Sequence, residues 1–185
     1  MAGAIAFEVP WLLLPGLPLG IAFLVLLVFF RDPERRPGRG IVSPADGRVL
    51  EADEAGRLVV FMGLSNVHVN RAPLDGRIAA MMHTRGGHAP AYRPEARQNE
   101  RVETVLETAI GPVKLVQVAG TIARRIVTYR SEGDRVKKGQ RIGIIRFGSR
   151  VEVTLPAGVR FLVRPGDRVR AGETTVAEVA RVLVR

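Results

Sequence analysis

A glycine and a serine interrupt one of the most strand-like segments of the chain. The segment Ile144–Pro156, IIRFGSRVEVTLP, alternates apolar and polar residues in its second half, which predicts a β-strand. Gly148 and Ser149 lie in its middle, where glycine weakens strand pairing and often marks a bulge or a bend. A serine hydroxyl is a poor nucleophile unless a base lies beside it. The pair therefore leaves two readings open, a structural bulge or a reactive serine.

The chain contains three histidines, His68, His83 and His88. His68 lies between two valines on the polar phase of a short strand, whereas His83 and His88 flank the loop sequence TRGG. By residue type, histidines can be metal ligands. Each histidine is also compatible with a structural role, and two histidines without a carboxylate cluster are weak evidence for a metal site. Asp46, in SPADG, is by default a turn residue.

Short strands separated by turns fill the chain after residue 40, which predicts a mainly β fold. The sequence GDRV occurs twice, in Glu132–Phe147 and in Pro165–Ala180, each time followed by a glycine turn and a strand. This echo resembles the hammerhead turn of lipoyl and biotinyl carrier domains and implies a barrel-sandwich-hybrid-like sheet body. Carrier function needs a lysine at a hairpin tip beside Met or Asp, and neither Lys137 nor Lys138 has that setting.

An uncharged apolar segment, Val9–Phe30, precedes this body. As a helix it would span about 33 Å, close to the ~30 Å hydrocarbon core of a bilayer. Prolines crowd its first half, so a kinked span and a hairpin that re-enters one leaflet are both open. We expect residues 1–30 to anchor the protein in the membrane and residues 31–40, rich in Arg, Pro and Gly, to form a linker. If the segment spans, these arginines place the body on the cytoplasmic side of the cell membrane.

The composition narrows the classes of partner. The 185 residues carry a formal net charge of +10 and include no cysteine. The charge suits a polyanionic partner, either nucleic acid or an anionic membrane face. Aromatic residues are only 5% of the chain and are not interleaved with basic ones, so we expect no nucleic-acid partner. The lack of cysteine excludes disulfide scaffolds, thiolate metal sites and cysteine nucleophiles.

Seven blocks occur in order along the chain: FFRDPER, SPADGRV, VHVNRAPLDGRI, RPEARQNER, GTIARRIV, GQRIGIIRFGSRVEVTLP and VRPGDRVRAGETTVA. Together they resemble the short-form phosphatidylserine decarboxylase proenzymes of bacteria and archaea, from about Phe29 to the C terminus. The resemblance implies pyruvoyl-dependent decarboxylation of phosphatidylserine, in an anionic membrane, to phosphatidylethanolamine and CO₂. Two alternatives stay open: archaetidylserine as the substrate of the same chemistry, and a non-catalytic, membrane-tethered, carrier-like β module.

The resemblance also implies a covalent maturation. The family cuts its own chain at a Gly-Ser bond, here Gly148–Ser149, and converts the serine into a pyruvoyl group that forms a Schiff base with the substrate amine. No metal is implied. Cleavage within the decarboxylase domain, residues 41–185, would thus give a β chain, 1–148, and an α chain, 149–185. The two chains would stay together as a heterodimer. Further oligomerisation is open.

The family's Asp-His-Ser arrangement matches Asp46, His68 and Ser149. The resemblance therefore implies that Asp46 orients His68 and that His68 activates the serine. Longer family members carry a second histidine three residues further on, where this chain has Arg71. We therefore expect His68 to act both in maturation and as the proton donor in decarboxylation, with His83 or His88 in one of these roles as the alternative. Arg124 and Arg125 are candidates for binding the substrate phosphodiester, because a guanidinium matches phosphate geometry. A solvated basic face is the alternative for both arginines.

Overall fold

The computed structural model describes residues 10–121, 125–146 and 149–180, with side chains from residue 16 onward. The predicted site residues Gly148 and Arg124 therefore lie outside the described residues. The chain divides into two compact units after Arg31.

Among the described residues of the first unit, Pro10–Phe29 form a helix, α1. Pro10 is its first residue, a position where no backbone N–H is needed. Most large apolar side chains between Leu17 and Phe30 are exposed, with Leu17 and Leu19 each at 70%, whereas Phe29 is buried. A contiguous apolar surface of this kind marks an interaction site. Within the described ranges, no helix combines the length and apolarity that a membrane crossing requires.

The second unit is built from short strands and one 3₁₀ helix, Pro94–Gln98. Within the described ranges, the strands are β1 (Ile41–Val42), β2 (Gly47–Ala52), β3 (Arg57–Met62), β4 (Val69–Arg71), β5 (Gly76–Thr84), β6 (Arg101–Thr108), β7 (Gly111–Val118), β8 (Ile126–Thr128), β9 (Arg135–Val136), β10 (Arg141–Ile145), β11 (Ser149–Thr154), β12 (Val159–Phe161), β13 (Arg168–Val169) and β14 (Thr175–Val179). This confirms the prediction of a mainly β body.

The strands form three antiparallel sheets. The large sheet has the order β13-β2-β3-β11-β7-β6-β5-β9, and two smaller sheets have the orders β4-β10-β8 and β1-β14-β12. The core is mainly aliphatic, with Val60, Leu115, Val151 and Ile145 almost completely buried. Strand β11 lies between β3 and β7 at the centre of the large sheet. Strand β11 is therefore hydrogen-bonded on both sides to strands that come earlier in the sequence.

The sheet β4-β10-β8 lies against the large sheet at a glycine. A side-chain carbon added at Gly143 of β10 would lie 2.6 Å from the Val127 carbonyl oxygen and 3.1 Å from Nε2 of Gln117 on β7. No residue larger than glycine fits such a space without displacing backbone. Gly143 thus allows β10 to lie close both to β8 in its own sheet and to the Gln117 side chain of the large sheet.

A seven-residue motif occurs twice, and each copy leads into a strand. Ser43–Val49 (SPADGRV) and Ala72–Ile78 (APLDGRI) share Pro, Asp, Gly and Arg at equivalent positions. Strand β2 begins within the first motif and pairs with β13, which directly follows one Gly-Asp sequence. Strand β5 begins within the second motif and pairs with β9, which directly follows the other Gly-Asp sequence. The GDRV echo seen in the sequence is therefore one half of a larger internal repeat.

The side-chain hydrogen bonds follow the same repeat. Asp46 Oδ1 accepts a hydrogen bond from the Ala171 N–H at 2.8 Å. Asp75 Oδ1 accepts one from the Lys138 N–H at 2.7 Å. Ala171 and Lys138 occupy the same place after GDRV, and Asp46 and Asp75 the same place in the seven-residue motif. Each aspartate therefore caps the glycine turn that follows its partner strand.

Residues 32–40, which make up all but the first residue of the predicted linker 31–40, have no regular secondary structure but are bonded to the body. Asp32 forms ion pairs with Arg71 at 3.0 Å and with Arg141 at 2.5 Å. Arg35 pairs with Asp46, and the Gly38 N–H donates to a carbonyl after β13 at 3.0 Å. These contacts, spread over most of the segment, fix its path along the body.

Candidate active site

Ser149 begins β11 at the point where the chain passes from one sheet to another. The preceding strand, β10, ends at Ile145 in the sheet β4-β10-β8, whereas β11 belongs to the large sheet. The predicted single strand is thus two strands in different sheets, and Ser149 is the first residue of the second strand. Ser149 is completely buried opposite Met62 of β3. Its Oγ has no hydrogen-bond partner among the described residues.

His68 is also completely buried and immediately precedes β4. Its Nδ1 lies 2.9 Å from the backbone oxygen of Asn66. A carbonyl oxygen only accepts hydrogen bonds, so Nδ1 carries the proton and Nε2 carries the lone pair of the neutral ring. The tautomer with Nε2 as the basic nitrogen is therefore fixed by a backbone carbonyl.

Two short segments connect His68 with Ser149. The Ile145 N–H donates to the His68 carbonyl oxygen at 3.3 Å, and the chain then runs four residues on to Ser149. From the other direction, Met62 pairs with Ser149, and six residues lead from Met62 to His68. The fold thus brings these two predicted site residues to the same end of the two sheets.

A buried polar chain lies beside this end. Gln117 Nε2 donates to Asn70 Oδ1 at 2.7 Å, and Asn70 Nδ2 lies 3.5 Å from the sulfur of Met62, the residue opposite Ser149. All three side chains are almost completely buried. Sequence reasoning missed Asn70 and Gln117, although polar residues at inward-facing strand positions were a usable sign.

The Asp46 carboxylate is hydrogen-bonded to Arg35 and Ala171. Arg35 donates to both of its carboxylate oxygens, at 3.0 Å for Oδ2, and the Ala171 N–H donates to Oδ1. The Arg71 N–H, at the far end of β4, bonds the oxygen of Pro44 at 2.8 Å. Three residues of strand, about 10 Å, separate Arg71 from His68. The structure therefore does not join the Asp46 carboxylate to His68, as the resemblance implied, but to Arg35 and the turn after β13.

The remaining candidates lie in different surroundings. Arg125 is exposed at the start of β8, and its carbonyl accepts from the Arg146 N–H at 3.4 Å, close to the crossing segment. His83 is half exposed and its Nε2 lies 2.9 Å from Glu100 Oε1. His88 lies in the loop after β5, and its buried Nδ1 has no partner in the described part of the chain.

That loop is held over the same end of the large sheet. Arg150, directly after Ser149, is buried and donates to the carbonyl oxygens of Ala91 and Arg93, each at 3.2 Å. The Asn99 side chain bonds Ala89 N–H at 2.8 Å and donates to the Ala119 carbonyl at 2.7 Å. The loop therefore shields the Ser149 end from solvent.

Comparison with known proteins agrees with the sequence blocks. The family model described as phosphatidylserine decarboxylase matches residues 23–177. A Methanosarcina mazei protein named putative archaetidylserine decarboxylase proenzyme is 46% identical over 158 residues, which cover 84% of this chain and 76% of that protein.

Bacterial relatives are equally similar. The Streptomyces griseus phosphatidylserine decarboxylase proenzyme is 47% identical over 156 residues, 82% of this chain and 73% of its own length. The proenzyme of the same name from Thermobifida fusca is 48% identical over 151 residues, 79% and 70% of the two chains. With a family model and relatives of this similarity spanning most of its length, the chain belongs to the phosphatidylserine decarboxylase family.

Proposed function

We propose that this protein decarboxylates the serine headgroup of phosphatidylserine to give phosphatidylethanolamine and CO₂, after it has cut its own backbone before Ser149. The observation that carries the proposal is the buried Ser149 hydroxyl, without a hydrogen-bond partner among the described residues, at a sheet crossing in a member of this family. A buried polar group left unpaired costs about 1–3 kcal/mol, which a purely structural serine would have no reason to incur. Relatives of similar identity are named as phosphatidylserine and as archaetidylserine decarboxylase proenzymes, so archaetidylserine is the alternative substrate of the same reaction.

Maturation uses groups of the chain itself. Ser149 Oγ attacks the carbonyl carbon of Gly148 while His68 Nε2 takes the hydroxyl proton, and the peptide becomes an ester. Removal of the Ser149 α-proton then expels the Gly148 carboxylate and leaves a dehydroalanine, which water converts to a pyruvoyl group and ammonia. Chains 1–148 and 149–185 stay together because β11 of the second chain is hydrogen-bonded on both sides to strands of the first.

The surroundings of Ser149 fit a pyruvoyl group. The group is small and uncharged at its keto carbon, and Ser149 lies in a fully buried position beside Met62. When present, it supplies an electron sink for the pair released as CO₂ leaves. We propose that His68, once protonated at Nε2, returns a proton to the substrate carbon. Arg125, and Arg124 beside it in sequence, are proposed to hold the phosphodiester.

We further assign Asp46 to positioning rather than to the proton relay. Its bonds to Arg35 and Ala171 hold residues 32–40 and the turn after β13 against the body. The internal repeat supports this assignment, because Asp75 makes the equivalent bond in the other copy. The same repeat of strand, aspartate cap and glycine turn supports a barrel-sandwich-hybrid body.

The lipid substrate accounts for the first unit. We propose that α1, whose large apolar side chains are mostly exposed from Leu17 onward, associates with the cell membrane and keeps the decarboxylase domain on its cytoplasmic face. Arginines after the helix then lie near anionic headgroups, at about 1 kcal/mol of attraction for each cation near the surface.

Intact-mass measurement of the purified protein tests the function. We expect two chains for the wild type, one chain for Ser149→Ala, and a slowly cleaved precursor for His68→Ala. Ser131→Ala, an exposed serine, is the matched control and should be cleaved normally. A wild-type chain that stays whole under conditions of full folding would overturn the proposal and favour the non-catalytic β module. Supplying purified enzyme with phosphatidylserine and archaetidylserine in parallel then identifies the lipid by headgroup analysis.

A further inference from the structure

A large cleft opens at the end of the sheet opposite to Ser149. Its volume is about 1150 Å³, and Gly76 of β5 and Thr108 of β6, which are paired, contribute to its lining. Thr108 pairs with Gly111, the first residue of β7, whereas Val118, the last residue of β7, pairs with Arg150, which follows Ser149. Seven residues of strand separate Gly111 from Val118, so the two ends of the sheet lie roughly 20 Å apart. The cleft is therefore distinct from the candidate active site.

Basic side chains dominate this cleft. Six line it, and we call it the cationic cleft: Arg35, Arg71, Arg77, Arg135, Lys137 and Lys138. Three carboxylates, those of Glu34, Asp75 and Glu107, also line it; Glu34 is paired with Arg141 at 2.6 Å, and Asp75 accepts from a backbone N–H. Within the described ranges, none of Arg77, Arg135, Lys137 and Lys138 has an ion-pair partner. With six cationic and three carboxylate side chains, the lining carries a net positive charge.

Two of these arginines face each other across a strand pair. Arg77 of β5 and Arg135 of β9 are direct partners in the antiparallel register, and both are exposed. On its other side, Arg77 lies opposite a single carboxylate, Glu107 of β6. Like charges in directly opposite positions destabilise a sheet. The Arg77 Nε contact with the Gly133 carbonyl oxygen, at 3.4 Å, is weak. An anion with two or more oxygens would relieve this repulsion and could accept from both guanidinium groups.

A third arginine is built into the wall. Arg71 is 4% exposed, and its terminal nitrogens are taken by the oxygens of Gly139, Asp32 and Pro33, each at 3.0 Å. Its buried Nε has no partner in the described part of the chain. The backbone N–H groups of Lys137 and Lys138 are already bonded, to side chains of the same cleft. An anion in the cleft would therefore be bound by the cationic side chains and not by these two backbone N–H groups.

We propose that the cationic cleft is a second anion site, which binds a phosphate group carried by a phospholipid headgroup or by a free phosphate ester. Arg77 and Arg135 clamp the phosphate oxygens, Lys137 adds charge at the rim, and Arg71 forms the buried wall. Because the site lies about 20 Å from Ser149, binding there requires neither cleavage nor decarboxylation.

Calorimetric titration of the full-length protein with inorganic phosphate tests the site, together with flotation on phosphatidylcholine vesicles with and without phosphatidylglycerol. The test variant is Arg77→Gln/Arg135→Gln. The internal repeat supplies the control, Arg48→Gln/Arg168→Gln, since these two arginines are paired in the same register outside the cleft. We expect binding by the test variant to be about tenfold weaker or more, and the control to stay within about twofold of the wild type. Binding should also weaken as salt is added.

The outcomes separate the sources of phosphate. Loss of phosphate binding in the test variant alone supports a free phosphate ester. Cleft-dependent binding only to vesicles with phosphatidylglycerol supports a lipid headgroup. Equal binding by the wild type and both variants in both assays overturns the proposal. Lys137→Ala, an exposed change, replaces the double variant if that protein does not fold. Ser149→Ala should bind like the wild type, so failure of the proposed maturation would leave this result intact.

Discussion

Replacing Asp46 by Asn should lower stability rather than chemistry. The side chains of Asp46 and Arg35 are only 9% and 6% exposed, and Asp46 also accepts from the Ala171 N–H at 2.8 Å. The hydrogen bond and charge of Asp46 raise the pKa of the Arg35 guanidinium, which therefore stays charged. Asn leaves that buried charge unpaired, and breaking a buried pair in this way costs about 3–5 kcal/mol. Because Asn keeps one oxygen that can accept from the Ala171 N–H, we expect the free energy of unfolding to fall by about 3 kcal/mol, the low end of this range.

The internal repeat supplies the control. Asp75 makes the equivalent bond to a backbone N–H, but it is exposed and has no ion-pair partner in the described part of the chain. Asp75→Asn should therefore cost only about 1 kcal/mol. For a body of this size, the two variants should differ in Tm by roughly 4–8 °C.

Urea unfolding in a Ser149→Ala background measures these values without interference from cleavage. Combining Asp46→Asn with Arg35→Gln should cost clearly less than the sum of the single changes, with an interaction energy of about 1–3 kcal/mol. In the wild-type background, Asp46→Asn protein that has folded at low temperature should still cut itself. Unchanged stability together with lost cleavage would refute the positioning role and return Asp46 to the relay with His68.

Two further changes probe the sheet crossing and the edge of the large sheet. Gly143→Ala should slow cleavage and destabilise the body, because the added carbon would lie 2.6 Å from a backbone oxygen; Gly87→Ala, where the nearest atom is 3.7 Å away, is the control, and cleavage time courses on gels compare the two. A hydrogen bond from Lys114 lowers the pKa of Glu103 below its ordinary 4.5, so its stabilising effect is present above that value and is lost as pH falls through the lowered pKa. Glu103→Gln should thus reduce the urea midpoint more at pH 7 than at pH 3, whereas Glu107→Gln on the same strand, which has no ion-pair partner in the described part of the chain, should reduce it less at pH 7.

The sequence predicts a reactive bond at Gly148–Ser149 but not the change of sheet at Ser149. Alternation around Gly148 and Ser149 predicted one broken strand, and the structure contains two strands in different sheets. Alternation reports which side of a sheet a residue faces and not the sheet to which its strand belongs. The sheet to which each strand belongs depends on partners such as Met62, far away in sequence, which no local pattern contains.

Long-range contacts also explain the outcome for Asp46 and for residues 32–40. The turn propensity of SPADG was sufficient to expect an aspartate cap, yet the capped N–H belongs to Ala171, 125 residues away. Proline and glycine favoured a linker after the apolar segment, but the ion pairs of Asp32 and Arg35 with the body depend on tertiary structure. Composition predicts local backbone behaviour and carries no information about such partners.

The internal repeat and the candidate active site occupy different parts of the fold, and this division has a physical reason. Both copies of the motif use an aspartate cap and a glycine turn, so each is satisfied by its own contacts and contributes stability. Residues 62–68 and 145–149 lie outside the repeated motifs, and there the chain leaves a buried serine hydroxyl unpaired among the described residues. An unpaired buried group is tolerated only where the surrounding structure is rigid enough to hold it. The two motif copies, with β11 fixed between β3 and β7, provide that rigidity.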